Sequence, residues 1–142
     1  MEFSKTSKER LNTCHIDLQL IFLEAISVTR IDFGIAEGHR SVEDQQKYFK
    51  EGKSRVDGIK IKGKHNYSPS LAVDFYGFVN GRATWEKDTL IYLAGLFIGI
   101  SEILYKQDKI SHKLRWGGNW DKDGIILKDQ SFDDLPHVEL YG

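Results

Sequence analysis

The chain has 142 residues, which fits one domain and is enough to bury a hydrophobic core without disulfides. Its 20 basic and 21 acidic side chains nearly cancel, so the composition gives no general attraction to nucleic acid or to membrane surfaces. Cys14 is the single cysteine, which excludes an internal disulfide and a cysteine-rich zinc knuckle. We expect one domain over residues 1–142 that is monomeric and binds no nucleic acid.

The first elements are predicted from hydrophobic periodicity. The polar segment Met1–Arg10 lacks the apolar stretch of a secretory signal, so we expect no signal peptide. From Leu11 onward, apolar residues recur on one helical face and predict a first large helix: Cys14, Leu18, Ile21, Phe22, Ala25 and Ile26. Ile31, Phe33 and Ile35 alternate with their neighbours, as in a short half-buried strand.

A shorter helix is predicted after Ser41. Ser41 followed by Asp44 resembles a capping box, and the helix should include Gln45 to Phe49 and stop at Gly52. The next segment, residues 53–70, is predicted to be a long loop punctuated by glycine and proline. Loops of this length are often functional.

The second half of the chain alternates short strands with one large helix. Leu71–Tyr76 is predicted to be a strand, followed by a tight hairpin turn at Asn80-Gly81. A helix over about residues 85–105 contains Gly95-x-x-x-Gly99, a spacing that lets a neighbouring helix approach closely. Its apolar run falls short of the roughly 20 residues that span a membrane. We therefore predict a core helix and no membrane insertion.

The C-terminal part is predicted to contain a strand around Leu114–Trp116, a Gly117-Gly118 turn, an Asp-rich loop and a final strand over residues 137–141. Long helices and short strands in this order predict a small α+β domain.

Two short segments hold residue types that bind catalytic metals. His65 and Asp74 lie in the first, and Asp134 and His137 lie in the second. His65, Asp74 and His137 could bind zinc, because three protein ligands and one open position are typical of catalytic zinc. Asp134 could then act as the base that takes a proton from the attacking water.

The period of the two strands supports this hypothesis. Asp74 lies on the face opposite the apolar Val73 and Phe75, and His137 lies opposite Val138. Asp134 and His137 would point to opposite faces of an unbroken strand. Pro136 cannot donate to a sheet ladder, so a bulge there would let both side chains converge.

Arg40 is the candidate for stabilising a developing oxyanion, because it lies at a predicted strand-to-helix junction. Spacing alone leaves a simpler interpretation open. His65 would then be a loop histidine, Asp74 a turn former and His137 a core histidine with satisfied hydrogen bonds.

Several further residues admit two interpretations. Glu139 could hold the second nitrogen of a metal-bound imidazole, or lie on the surface of the last strand. Trp116 and Trp120 could line a substrate groove, or belong to the core. His15, His39 and His112 are predicted to be structural or exposed, and Cys14 to pack as a small hydrophobe.

A calcium site is a weaker hypothesis. Asn119, Asp121 and Asp123, followed by Gly124, resemble the start of a calcium loop. The twelfth position of that loop is Gln130, where glutamate is expected. Asp and Gly also favour ordinary turns, so both interpretations stay open.

Taken together, the ordered motifs resemble a family. They are His15–Gln19, Glu37–Ser41 with Gln45, Gly52–Ser54, Lys64–Asn66, Pro69–Asp74, Arg115–Trp120 and Asp134–Glu139. They are similar to the D-alanyl-D-alanine carboxypeptidase-like zinc peptidases, and most of all to bacteriophage L-alanyl-D-glutamate endopeptidases.

The resemblance implies a small α+β scaffold whose antiparallel sheet packs with two or three long helices. It implies one zinc ion on His65, Asp74 and His137, Asp134 as general base and Arg40 at the tetrahedral intermediate. The commoner family pattern has a serine where Gly63 stands, and a shorter, glycine-containing spacer between the first two ligands. The resemblance therefore does not decide which residues of the segment Asn66–Ser70 contact the substrate. Ser70 is one candidate.

The implied function is hydrolysis of peptidoglycan stem peptides at the L-alanyl-D-glutamate bond, as a phage endolysin. The enzyme would be made in the host cytoplasm and would reach periplasmic peptidoglycan through a membrane pore. A D-alanyl-D-alanine carboxypeptidase or dipeptidase is the alternative within the enzymes. A wall-binding domain that has lost catalysis is the alternative outside them.

Overall fold

The computed structural model describes residues 1–54, 57–58, 62–118 and 134–142. In this part of the chain four α-helices pack against an antiparallel sheet of five strands, which confirms the predicted α+β class. The helices are α1 (Lys5–Leu11), α2 (Ile16–Val28), α3 (Val42–Lys50) and α4 (Lys87–Lys106). The strands are β1 (Asp32–Glu37), β2 (Ala72–Val79), β3 (Arg82–Thr84), β4 (Lys113–Gly117) and β5 (Asp134–Tyr141). A short 3-10 helix spans Lys64–Asn66.

Strand β2 lies at the centre of the sheet, whose order is β1-β2-β5-β4. It pairs with β1 on one side, and with β5 and the short β3 on the other. The hairpin turn between β2 and β3 lies at Asn80-Gly81 as predicted, with φ angles of 54° and 76°. Two positive φ values are typical of the turns that match the twist of a two-residue hairpin.

The hydrophobic core fills the space between one face of the sheet and helices α2 and α4. Val73 and Phe75 of β2 are fully buried on this face, as the strand period predicted. Phe97 of α4 lies at the middle of the core, with its ring 4.6 to 4.9 Å from the rings of Phe22, Phe33 and Phe75. Because alternate residues of a strand face opposite sides, Asp74 points away from the core.

The single helix predicted from Leu11 is wrong in its first part, because the chain forms two helices there. Residues 12–15 leave the helix and run beside Ser70. The Ser70 amide donates to the Thr13 carbonyl, and the His15 amide donates to the Ser70 carbonyl, each at 2.9 Å. His15 then caps α2 by accepting a hydrogen bond from the Asp17 amide. The predicted α3 is confirmed, with Ser41 capping it through the Asp44 amide.

Helix α4 combines a buried face with an exposed one. Among the described helices it alone is long and apolar enough to cross a membrane by composition, yet it contributes buried residues such as Leu93 and Phe97 to the core. The expectation that Gly95 and Gly99 allow a close neighbour is wrong. Both are exposed, and a Cβ built on either would meet no atom within 4 Å in the described structure.

Candidate active site

Bulges on both sides of Asp74 shape the sheet at the candidate site. In β1, Ile35 pairs with Phe75 and Glu37 pairs with Asp74, so one extra residue, Ala36, is inserted in this strand. Both Ala36 and Glu37 therefore line the same pocket. A bulge of this kind re-aims side chains locally without breaking the sheet.

The bulge in β5 is larger and brings Asp134 toward His137. Val138 pairs with Trp116 of β4, whereas Asp134 pairs with the next residue, Gly117. Three residues are thus inserted around Pro136, which confirms the predicted break. The strands approach so closely that a Cβ on Gly117 would lie 2.0 Å from the Asp134 carbonyl oxygen, so this position requires glycine.

His65, Asp74 and His137 converge in the structure. His65 Nε2 and His137 Nδ1 lie 3.1 and 3.0 Å from the same carboxylate oxygen of Asp74, and 3.3 Å from each other. Both imidazoles are buried and the carboxylate is partly exposed to the pocket. Two nitrogens and one carboxylate at these distances form a donor set that fits a divalent metal ion.

Each imidazole is oriented by a partner on its other nitrogen. His65 Nδ1 donates to the Gly38 carbonyl at 2.7 Å, and His137 Nε2 donates to Glu139 Oε1 at 2.9 Å. Arg115 donates to the other carboxylate oxygen of Glu139 at 2.8 Å. Such partners fix the ring and the tautomer of metal-binding histidines. Glu139 therefore has the position expected of a partner for the second imidazole nitrogen of His137.

The position whose carbonyl orients His65 requires glycine, because the surroundings of Gly38 leave no room for a side chain. A Cβ there would lie 2.4 Å from Thr13 Oγ1, 2.6 Å from the Arg10 carbonyl and 2.7 Å from Cys14 Sγ. Contact with the α1–α2 connection therefore holds the carbonyl that orients His65.

The charges of the site are coupled. Burial alone would raise the pKa of Asp74, but His65 and His137 outweigh burial and hold this pKa well below its usual range. Burial alone would lower the pKa of His137, yet hydrogen bonds to Asp74 and Glu139 raise it to about 10. A metal ion on His137 would therefore compete with a proton for that imidazole.

Asp134 occupies the pocket beside these residues. Its Oδ2 lies 3.9 Å from His137 Nδ1, and its side chain is 37% exposed. Burial is the main cause that raises the pKa of Asp134 above its usual value, and the charge of Asp74 adds to it. The carboxylate is close to the three converging donors but makes no short contact with them.

Arg40 is held rigidly at the edge of the same site. Its guanidinium donates to Glu37 through Nε and Nη2, to Gln45 at 2.9 Å and to Asp74 at 3.3 Å. The ring of Tyr48 lies 4.7 Å from the guanidinium carbon. Contacts on several sides fix the positive charge, so Arg40 is preorganised to stabilise negative charge in the pocket.

The 3-10 helix that carries His65 is tied to the connection between β1 and α3 that carries Arg40. The Arg40 amide donates to the His65 carbonyl at 2.8 Å, and the buried Asn66 side chain donates to the Arg40 carbonyl at 3.0 Å. Asn66 therefore has a structural role in the folded chain, and it sets the position of His65 relative to Arg40.

The three converging donors, together with Asp134 and Arg40, line an open cavity of about 560 Å³. Besides the predicted residues, its wall includes Tyr48, Lys53 and Lys64, which the sequence analysis missed. Helical spacing could have identified Tyr48, because it follows Gln45 by three residues on the same face of α3. Lys53 and Lys64 add two positive side chains to this wall, and Lys53 also pairs with Glu51 at 3.3 Å.

Two candidate substrate residues lie elsewhere. Ser70 is fully buried, and its hydroxyl donates to the Ala72 carbonyl, so it fixes the start of β2. Trp116 is 6% exposed and donates to the Leu135 carbonyl at 2.7 Å, which places it in the core and under the β5 bulge. The calcium hypothesis at Asn119, Asp121 and Asp123 lies outside the described residues, as does Trp120.

Comparison with known proteins adds independent observations. A model of the family described as phage L-alanyl-D-glutamate peptidase matches residues 1–141. The L-alanyl-D-glutamate peptidase of Escherichia phage T5 is 27% identical over 143 residues, which cover 98% of this chain and 97% of that protein. The crystal structure of Serratia marcescens L-Ala D-Glu endopeptidase ChiX superimposes with a TM-score of 0.73 at 24% identity, and covers 99% of this chain and 90% of that one. At this identity, the similarity to ChiX concerns the fold alone.

The role of Glu139 can be tested by removing its charge. Glu139→Gln should weaken divalent metal binding about 10- to 100-fold, because His137 loses the ionised partner that orients it. Competition with a chromophoric chelator would measure the affinity, with Glu43→Gln on the exposed face of α3 as a matched control. Equal affinities for the two variants would show that Glu139 does not support the metal ligand.

Proposed function

The chain belongs to the phage L-alanyl-D-glutamate peptidase family of peptidoglycan hydrolases, and we propose that it cleaves the L-alanyl-D-glutamate bond of stem peptides with the help of one zinc ion. The observation that carries the proposal is the convergence of His65, Asp74 and His137 beside Asp134 and Arg40 in one pocket. An end-to-end family match makes this pocket the place where the family's chemistry would occur.

His65 Nε2, His137 Nδ1 and a carboxylate oxygen of Asp74 would hold the zinc ion. Both imidazoles already have their other nitrogens engaged, by the Gly38 carbonyl and by Glu139, so the atoms that face Asp74 are the ones available for a metal. When bound, zinc would act as a Lewis acid that polarises the scissile carbonyl and makes a water molecule more acidic.

Asp134 is the proposed general base. Its carboxylate oxygen would accept a proton from the attacking water and pass it to the leaving amine of the D-glutamyl residue. The β5 bulge supports this role, because it places Asp134 on the pocket side together with His137. Its partial exposure leaves room for water and for the leaving group.

Arg40 is proposed to stabilise the oxyanion that forms from the scissile carbonyl. Glu37 and Gln45 fix the guanidinium before substrate binds, so little reorganisation is needed during the reaction. Removing one donor of this kind typically slows enzymes by about 100- to 1,000-fold.

Lys64 is proposed to recognise the substrate. A D-glutamyl residue linked through one carboxyl group keeps a second carboxylate close to the scissile bond. Lys64 lines the pocket, precedes His65 directly and is only partly buried. We infer that its ammonium group attracts that carboxylate, with Lys53 as a second positive residue of the same wall.

The function is tested by digesting purified Gram-negative peptidoglycan with the zinc-loaded protein and with its Asp134→Asn variant. Mass spectrometry should detect stem peptides that lack L-alanine after digestion with the wild type. The variant should release none, although its zinc content should equal that of the wild type, because Asp134 is not needed to hold the metal. Elemental analysis of both proteins provides that control.

Other products would contradict parts of the proposal. Loss of terminal D-alanine would assign the enzyme to the carboxypeptidase alternative. Undiminished activity of Asp134→Asn would refute the assigned base. An absence of any product from a zinc-loaded protein would favour a domain that binds the wall without cleaving it.

Recognition of the carboxylate predicts a specific effect on substrate affinity. Lys64→Met should raise KM for a soluble stem peptide about 10- to 100-fold, since charged hydrogen bonds contribute about 1.5–3 kcal/mol. Lys62→Met is the matched control, because Lys62 is exposed and lies over the Tyr67 ring instead of lining the pocket. Steady-state kinetics that give the same KM for both variants would rule out this role.

We also propose that the enzyme acts in host lysis as a phage endolysin and reaches the wall through a membrane pore. The family and the phage T5 relative support this role. Expression in a Gram-negative host should leave cell density unchanged, whereas coexpression with a pore-forming protein should cause lysis. Lysis by the enzyme alone would contradict the need for a pore, and the Asp134→Asn variant controls for toxicity.

A further inference from the structure

A second group of metal-binding side chains lies outside the active-site pocket. His15, Asp17 and His112 each offer one ligand atom, and these atoms lie within 4.8 Å of one another. His15 and Asp17 lie at the start of α2, and His112 immediately precedes β4. None of the three lines the pocket around Asp134. The group is thus a separate His-Asp-His cluster.

The hydrogen bonds of Asp17 leave one side of its carboxylate open. Oδ2 accepts from the Ser111 amide and hydroxyl and from the His112 amide and Nδ1, at 2.8 to 3.2 Å. Oδ1 accepts no hydrogen bond from the described part of the chain, although only 5% of the Asp17 side chain is exposed. A buried carboxylate oxygen without a donor is costly unless a cation or another donor satisfies it.

Each carboxylate oxygen of Asp17 lies beside one of the two imidazoles. Asp17 Oδ1 lies 3.9 Å from His15 Nδ1, and His112 Nδ1 lies 2.8 Å from Oδ2. The two rings are 4.9 Å apart and nearly perpendicular, so neither blocks the other. Both histidines are about one-quarter to one-third exposed, which gives an ion a path from solvent.

We propose that His15, Asp17 and His112 form a second binding site for zinc or another late first-row divalent ion. Imidazole and carboxylate donors suit these metals. Because the ligands come from the start of α2 and from the approach to β4, a bound ion would join the helical layer to the sheet. We assign this ion a structural role, since neither Asp134 nor Arg40 of the pocket contacts these three residues in the described part of the chain.

The second site should be weaker than the first. His15 Nδ1 already accepts a hydrogen bond from the Asp17 amide at 3.0 Å and caps α2 with it. Binding through this nitrogen would sacrifice the cap, whereas His65 and His137 give up no backbone contact. Zinc should therefore fill the pocket first and the second cluster at higher free concentration.

Zinc stoichiometry tests the inference on the full chain. Equilibrium dialysis against zinc, followed by elemental analysis, should give two equivalents for the wild type at saturation. His15→Asn and His112→Asn should each give one equivalent fewer. Asparagine is a good N-cap residue, so His15→Asn removes the imidazole while it preserves the start of α2. His39→Asn, at an exposed histidine, should retain both equivalents.

A pocket variant separates this inference from the proposed function. His65→Asn should lose the tighter equivalent and keep the weaker one, and zinc should still shift the imidazole NMR signals of His112. If His15→Asn and His112→Asn both bind as much zinc as the wild type, the inference is overturned, and the cluster is only a hydrogen-bonded tie. If the pocket itself binds no zinc, the equivalent that depends on His65 should instead be missing from the wild type.

Discussion

The candidate active site depends on one carboxylate in the middle of the central strand. Asp74 lies between two imidazoles that approach the same oxygen, and its other oxygen faces the guanidinium of Arg40. Its neighbours Val73 and Phe75 are fully buried in the core on the opposite face. The packing that stabilises the domain therefore also fixes the position of Asp74, to which the other site residues are fitted.

Irregularities in the flanking strands complete the arrangement. A regular antiparallel sheet would alternate every side chain and could present only part of the site on one face. The bulge in β1 turns Glu37 toward Arg40, and the bulge in β5 brings Asp134 beside His137. The absence of a side chain at Gly117 permits the second bulge, and at Gly38 it permits the contact that orients His65.

The two His-Asp-His clusters show how surroundings distinguish similar donors. In the pocket both imidazoles are nearly buried and are backed by Gly38 and Glu139, and the carboxylate opens into a cavity. In the cluster at His15, backbone donors occupy half of the carboxylate, and the histidines are more exposed. The first arrangement suits an ion that must also meet a substrate, whereas the second suits an ion that joins two elements.

The sequence by itself determined the features that depend on local periodicity and chemistry. It predicted the α+β class, the hairpin at Asn80-Gly81, the capped α3 and the outward direction of Asp74 and His137, because side-chain alternation and turn preferences are local properties. It also suggested a break at Pro136. Only the tertiary structure decided the matters that involve distant contacts. Pairing with Ser70 divided the first helix, burial removed Ser70 and Trp116 from the pocket, and folding brought Tyr48 and Lys64 into its wall, since spacing along a chain does not specify which segments meet in space.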